Sequence, residues 1–264
     1  MNTSATSTSS AREVRVERPD PHYALITLDN PPRNQLSFAG RTALVEALAE
    51  LDTDHDIRCL VVTGTGSGFT AGNDLRQDVA MGDGDVDDFL GGFGRVLLGL
   101  ERFRAPVIAA INGATAGGGL EFALCCDVRI ASSEAVFIAA GVNVGLIANF
   151  YRLPRVVGEG PAKDLLLTGR RWSAEEALRW GLVTAVHPPD QLLDAAHALA
   201  NRIASRAPLS VEATKDAVHR VRHATADEAQ ALQAEHFARL FRTDDHAEAV
   251  AAFFEKRSPT FHRR

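Results

Sequence analysis

Two short stretches of the chain hold residue types that could do chemistry. Residues 116–122 read AGGGLEF. Consecutive glycines cost a folded chain backbone entropy, so something must require them. A glycine run that opens a helix leaves free backbone N–H groups at the helix N-terminus, where the dipole favours negative charge. With no Cβ in the way, the backbone there can also close on a ligand. The second stretch is GFTAGND at 68–74, which follows the apolar run CLVVTG and also offers bare amides. Two such loops, each after a strand, could aim one N–H each at a single oxygen. That would be an oxyanion hole, worth roughly 3–4 kcal/mol per donor in the transition state. Glu121 would then sit in the first helical turn, placed to move a proton at the carbon beside a polarised carbonyl. The plainer alternative is tight packing of a helix on a strand, with an acid favoured by the dipole alone. AGGGLEF by itself does not separate the two. It is not a phosphate-binding loop, because no GKS or GKT follows, nor does it fit GxGxxG. No serine stands where a nucleophile elbow needs one.

The elements that must position these loops can be read from the pattern. Residues 13–17 and 23–28 predict strands meeting in a turn-rich hairpin. NPPRNQLS is a loop, since prolines cannot donate to a ladder. Residues 38–51 carry apolar residues at helical spacing. CLVVTGT, PVIAAING and VRIAS predict short buried strands, the first of them parallel. The acid- and glycine-rich stretch 76–92, with Asp78, Asp83, Asp85, Asp87 and Asp88, predicts a mobile segment. Residues 93–103 predict a helix, and a further helix opens at 118. PAKDLLLTG and SAEEALRWG are helical, the second with a Ser cap and a glycine stop. LVTAVHP is one more strand, and 190–206 and 208–257 are mostly helical. Strand and helix alternate over the first two thirds and give way to helices, which predicts an α/β core with a helical C-terminal appendage.

Composition excludes several classes. The chain has 264 residues and a net charge of −6, so nothing in its charge calls for nucleic acid. No run approaches the ~20 apolar residues of a membrane helix. The Ser/Thr-rich start, MNTSATSTSS, lacks the apolar core of a secretory signal and the arginines of a transit peptide; it reads as a disordered tail. Cys59, Cys125 and Cys126 are odd in number, in apolar context and without a CxxC pair. A disulfide framework and a metal site are therefore not expected, and the cysteines read as core in a reducing cytosol.

Taken together, FTAGNDL at 69–75, NGATAGGGLEFALCCD at 112–127 and AAFFEKRSPTF at 251–261 resemble the crotonase superfamily, the enoyl-CoA hydratase/isomerase family. The resemblance runs from about residue 13 to the C-terminus and includes GRRWSAEEALRWGLV. It implies a spiral of ββα repeats over residues 13–200, after a tail at 1–12. A C-terminal helical region at 201–264 would build a homotrimer or a hexamer. It implies an enzyme acting on acyl-CoA thioesters, with the thioester enolate stabilised by two backbone amides and no metal or redox cofactor; the cysteine pattern adds a cytoplasmic location. Those amides fall on Asn73 and Gly118, and Glu121 matches the first catalytic glutamate of the hydratases. Arg33 matches a basic position near the CoA phosphates. Ala71, Asp74 and Leu75 match the loop around the adenine and pantetheine. Phe253 and Lys256 match positions that cover the CoA, in some members from a neighbouring subunit. Alone, Lys256 reads as a solvated surface cation.

The departures from the family pattern carry as much information. The second glutamate of the hydratases falls on Gly141, which can neither activate water nor deliver a proton. The family's glycine-rich PGxGG stretch is here the shorter, bulkier LIANFY, with Asn149, Phe150 and Tyr151. Small Ala139, Ala140, Gly141 and Ala148 imply room at the acyl end, beside Phe150 and Tyr151, for a bulky or ring-bearing chain. Three readings stay open. One is a hydratase or close lyase working through Glu121 and water. Another is a single-acid enzyme, either an enoyl-CoA isomerase or a decarboxylase, since VNVGL resembles a stretch of the methylmalonyl-CoA decarboxylases. The third is a non-catalytic acyl-CoA-binding protein. Tyr151 or a loop aspartate could replace the missing acid; against this, Tyr151 could simply pack beside Phe150, and the aspartates could be solvated loop charges.

Overall fold

The computed structural model describes residues 13–74 and 86–264, with the backbone alone for 86–89. The Ser/Thr-rich start, Leu75, Asp78, Asp83 and Asp85 lie outside the described residues, as do the side chains of Asp87 and Asp88.

The apolar runs form a six-stranded sheet. β1 (Val14–Asp20) pairs antiparallel with β2 (Tyr23–Leu28). β3 (Cys59–Gly64), β5 (Val107–Ile111), β7 (Val128–Ser132) and β10 (Ala185–His187) then add in parallel, giving the order β1-β2-β3-β5-β7-β10. Successive side chains in a strand point to opposite faces, and this alternation splits the interior in two. One face carries Ala24, Ile26, Leu28, Leu60, Val62, Val107 and Ala109 into the main core under α1 (Phe38–Thr53) and α2 (Val86–Glu101). The other carries Leu25, Cys59, Val61, Ile108 and Ala110 against Leu192, Ala196 and Ala200. Those three lie at i, i+4 and i+8 on the helix Leu192–Ala204, one face of an α-helix.

A second sheet, in the order β4-β6-β8-β9, lies beside the first. Its strands are Gly68–Thr70, Ala114–Ala116, Val136–Ile138 and Arg171–Ser173, each three residues long. β4 continues β3 after a tight turn, and β6 continues β5. Each strand pair therefore ends on one of the glycine-bearing loops. α3 (Gly118–Cys125) follows β6, and α4 (Leu153–Val157) follows the segment after β8. The C-terminal helices are Pro208–Arg220 (α8), Ala226–Leu240 (α9) and Asp244–Glu255 (α10), numbered after α5 (Glu159–Thr168), α6 (Ala174–Arg179) and α7 (Leu192–Ala204).

The helix expected over 93–103 begins earlier, at Val86, so 86–92 is helical rather than loop. Glycine and aspartate disfavour helix. Tertiary packing overrides them, because Phe93, Val96, Leu97 and Leu100 form one apolar stripe against the core.

Asp127 ties the core to the C-terminal helices. It accepts from the Val107 N–H at 2.7 Å and pairs with Lys215 Nζ of α8 at 2.7 Å, with His219 3.5 Å away. Burial pushes this carboxyl up, but the hydrogen bond from His219 and the Lys215 charge outweigh it and hold it below the ordinary range. A depressed folded-state value adds stability above the unfolded carboxylate value of about 3.9, and that stability is lost as pH falls through the folded value. Lys215→Met leaves a buried carboxylate short of its partner and is expected to cost about 3 kcal/mol near neutral pH. Thermal melts across the acid range check it. The variant's melting temperature should fall less steeply with acid than the wild type's.

Candidate active site

The loop after β4 is held by its own side chains. Thr70 Oγ1 donates to the Asn34 carbonyl at 2.6 Å and accepts from the Gly72 N–H at 3.0 Å. Ala71 N–H donates to the Arg33 carbonyl at 2.9 Å, and Leu36 N–H to the Gly72 carbonyl at 2.8 Å. The loop 71–74 is thus strapped along residues 33–36, which brings Arg33, exposed, beside Ala71. Asn34 anchors the strap, with its Nδ2 on the carbonyls of Thr65 and Gly68.

The glycines are required by a backbone-to-backbone contact. A Cβ on Gly72 would lie 2.6 Å from both Gly118 Cα and Gly119 N, and Gly72 has φ +79° besides. A Cβ on Gly119 would lie 1.9 Å from the Thr70 carbonyl oxygen. Gly117, at φ +52°, turns β6 into α3, and its N–H donates to the Ile138 carbonyl at 2.9 Å. Phe93 of α2 closes the third side, 3.1 Å from where a Gly118 Cβ would be. Asn73 and Gly118 are therefore brought together at the N-terminus of α3. Among the described residues neither backbone N–H has a hydrogen-bond acceptor.

Glu121 lies one turn into α3 with its side chain 13% exposed. Arg152 Nη1 meets its Oε1 at 2.6 Å, and Asn149 Nδ2 donates to its Oε2 at 2.8 Å. The other arm of Arg152 reaches Glu101 Oε2 at 2.7 Å, and Arg222 meets Glu101 Oε1 at 3.4 Å. Burial pushes Glu101 up, but the hydrogen bond and charge of Arg152, with the charge of Arg222, more than offset this and hold it low. Burial also works against the Arg152 cation, yet its two carboxylate partners raise its pKa.

Asn149 and Arg152 are the residues that the sequence did not single out. Asn149 reads only as part of a bulky loop, and Arg152 carries no reading of its own. They stand 28 and 31 positions from Glu121, and no spacing rule links such distances to a shared carboxylate.

The acyl-end expectation is corrected. Gly141 is buried in a 3-10 turn (Ala140–Val144), and its carbonyl accepts from the Leu146 N–H at 2.8 Å. A Cβ there would lie 2.9 Å from Ala148 N and from the Leu146 carbonyl oxygen. Backbone, not open space, faces Gly141. Ala139 is buried and Ala148 half-buried, while Phe150 and Tyr151 turn outward, 60% and 43% exposed. The Arg155 guanidinium stacks on the Tyr151 ring at 3.8 Å. Tyr151 is therefore not among the side chains that meet Glu121.

Of the C-terminal candidates, Phe253 shares a cavity with Glu101 and Arg222 of the charge chain. That cavity, of about 940 Å³, lies at the C-terminal end of α3, with Leu124, Cys125 and Cys126. Lys256 is exposed at the end of α10, with φ +53°. Burial pushes the Cys59 and Cys126 thiols up to about 12 and Cys125 higher still, as inert core cysteines require. His219 and His223 have an HxxxH spacing, but among the described residues no group of three side chains could hold a metal. Among those residues no helix is long and apolar enough to cross a membrane.

The class is that of an α/β spiral in which two strand-ending glycine loops meet at a helix start beside a buried glutamate. The chain belongs to the enoyl-CoA hydratase/isomerase family, whose model matches residues 22–264. The "Probable enoyl-CoA hydratase echA12" of Mycobacterium bovis is 42% identical, over 94% of this chain and 92% of the relative. The short-chain-enoyl-CoA hydratase of Clostridium acetobutylicum is 38% identical over 89% of this chain and 92% of its own. The crystal structure of an enoyl-CoA hydratase from Bacillus anthracis superposes with a TM-score of 0.93 at 33% identity, covering 96% of this chain and 100% of that one. The fold is the crotonase fold.

Because backbone faces Gly141, Gly141→Ala is expected to destabilise the protein by about 1–3 kcal/mol through overpacking. Gly141→Glu should do so more severely and leave water addition to 2-enoyl-CoA no faster than in the wild type. Chemical denaturation and a hydration assay on the two variants check this.

Proposed function

We propose that the chain is an enoyl-CoA hydratase-type enzyme. It forms a thioester enolate under the amides of Asn73 and Gly118, and Glu121 is its acid–base carboxylate. The observation that carries this is the contact of Gly72 with Gly118 and Gly119, beside two N–H groups that have no acceptor among the described residues. Donors fixed in advance at the place where charge develops stabilise the transition state more than the ground state. Glu121 stands one turn further on, where the α-carbon of a thioester bound to those amides would lie within reach of a proton carrier. The carboxylate has its counter-charge in Arg152 and a fixed orientation from Asn149.

Water addition to a 2-enoyl thioester is the reaction proposed. A double-bond shift is the second reading, favoured by Gly141, since moving one proton between two carbons needs one carboxylate. No cofactor is required for either. Arg33 and the loop 71–75 would hold the CoA moiety. Phe253, 78% exposed, and Lys256 would cover the CoA of a neighbouring copy in a homotrimer or hexamer.

Glu121→Gln removes the proton carrier while keeping shape. It should lower turnover about 10²–10⁴-fold with acyl-CoA binding retained. The measurement is mass spectrometry in D2O on 2-enoyl, 3-enoyl, saturated and malonyl-type CoA thioesters. A mass gain of one water that is lost in the variant is the expected result. Deuterium uptake or bond migration without water addition would move the isomerase reading ahead. Loss of CO2 would mark a decarboxylase, and binding without change a non-catalytic protein.

A further inference from the structure

One end of the Asn149 carboxamide is still without a role. Its Nδ2 donates to Glu121 Oε2 at 2.8 Å and to the Gly117 carbonyl at 3.1 Å. Two acceptors on one side fix which end of the amide is nitrogen. Oδ1 is therefore an acceptor, and it is buried with no hydrogen-bond partner among the described residues. Asn149 itself is 3% exposed and is held at φ +61°, a conformation that asparagine tolerates better than most residues. A buried carbonyl oxygen without a donor is a costly arrangement that folded proteins usually fill with a partner or an ordered water. Here the orphan sits on the same amide that orients the acid–base carboxylate. A water on Oδ1 would find a polar neighbour in Glu121, and buried waters settle where such partners converge.

Resting on the reading of Glu121 as the acid–base carboxylate, we infer that Asn149 Oδ1 holds the water that adds to the enoyl thioester. One O–H of the water donates to Oδ1. The other gives its proton to Glu121 as the water oxygen bonds to the β-carbon. The C=C electron pair moves toward the thioester oxygen as the enolate. Glu121 then passes that proton to the α-carbon, and the enolate returns to the thioester. One water is added across the double bond, and every protein group ends as it began. Asn149 thus receives the nucleophile with a carbonyl oxygen, which needs no second carboxylate at Gly141.

The test is Asn149→Gly, which suits the positive φ and removes the acceptor. Wild type and variant are assayed in D2O for water addition to 2-butenoyl-CoA and for α-proton exchange on 3-butenoyl-CoA. Exchange needs Glu121 but no added water. Both rates are expected to fall, because the variant also loses the Nδ2 bond to Glu121. The ratio of hydration to exchange should fall by a further tenfold or so, about 1.4 kcal/mol. An unchanged ratio would show that Asn149 acts only through Glu121 and would overturn the inference while leaving the acid–base reading intact. A wild type that performs neither reaction would overturn that reading, and this inference with it. If the variant melts before it can be assayed, a crystal structure of the wild-type protein decides. An ordered water on Asn149 Oδ1 is expected; a protein donor there overturns the inference.

Discussion

The site depends on one contact that no side chain makes. The backbone of Gly72 lies against that of Gly118 and Gly119, closer than any Cβ would permit. Sheet strands space their ends about 4.8 Å apart, and loops that carry side chains spread further. Bare backbone lets the loop after β4 and the start of α3 meet. The same approach fixes where α3 begins, and therefore where Glu121 falls on it. Thr70 reinforces the contact from both ends: its hydroxyl bonds the Gly72 N–H, and its carbonyl sits where a Gly119 Cβ would go. Because residues 33–36 are strapped to this loop, the position of Arg33 is set by the same geometry.

A second constraint is electrical. Glu121, Arg152, Glu101 and Arg222 form a chain of alternating sign, mostly out of water. A lone charge buried there would be expensive, and a pair only roughly breaks even. Alternation spreads the neutralisation, so that Arg152 serves two carboxylates at once. The chain also has a direction. It begins on α3, crosses α4 and the end of α2, and finishes on the 3-10 turn Val221–His223 after α8. The buried glutamate is thereby coupled to the C-terminal helices, which Asp127 and Lys215 tie to the core a few residues away. Docking of those helices and the environment of Glu121 are not independent.

Much of this was legible in the sequence, for physical reasons that can be named. Buried parallel strands announce themselves as short apolar runs ended by glycine, and CLVVTG and PVIAAING lie where the pattern puts them. Glycine triplets are rare enough that one followed by an acid marks a helix start. At 86–92 the aspartates and glycines point by local propensity to a mobile segment, yet the backbone is helical. The stripe at Phe93, Val96, Leu97 and Leu100 shows that packing decided the matter. Gly141 was not legible as a packing site. Its glycine is required by the backbone of 146–148, which no local pattern reveals. Asn149 and Arg152 were hidden for the same reason: their meaning lies in a carboxylate on another helix.

The segment from Ala139 to Arg152 acts as one unit. A turn that tucks Gly141 under the next three residues leaves no space for a long acid at that place. It also lets the chain double back, and the residue at the end of that reversal is Asn149, in a left-handed conformation that aims its amide inward. Arg152 follows as the N-cap residue of α4, and its guanidinium reaches Glu121. Around Glu121 the rest of the segment supplies a hydrogen-bond donor in Asn149 and a cation in Arg152. Phe150 and Tyr151, between the two, are free to face outward because neither is needed for that task. The polar residues that meet Glu121 are thus selected by the backbone path, and the path is selected by a glycine that carries no chemistry of its own.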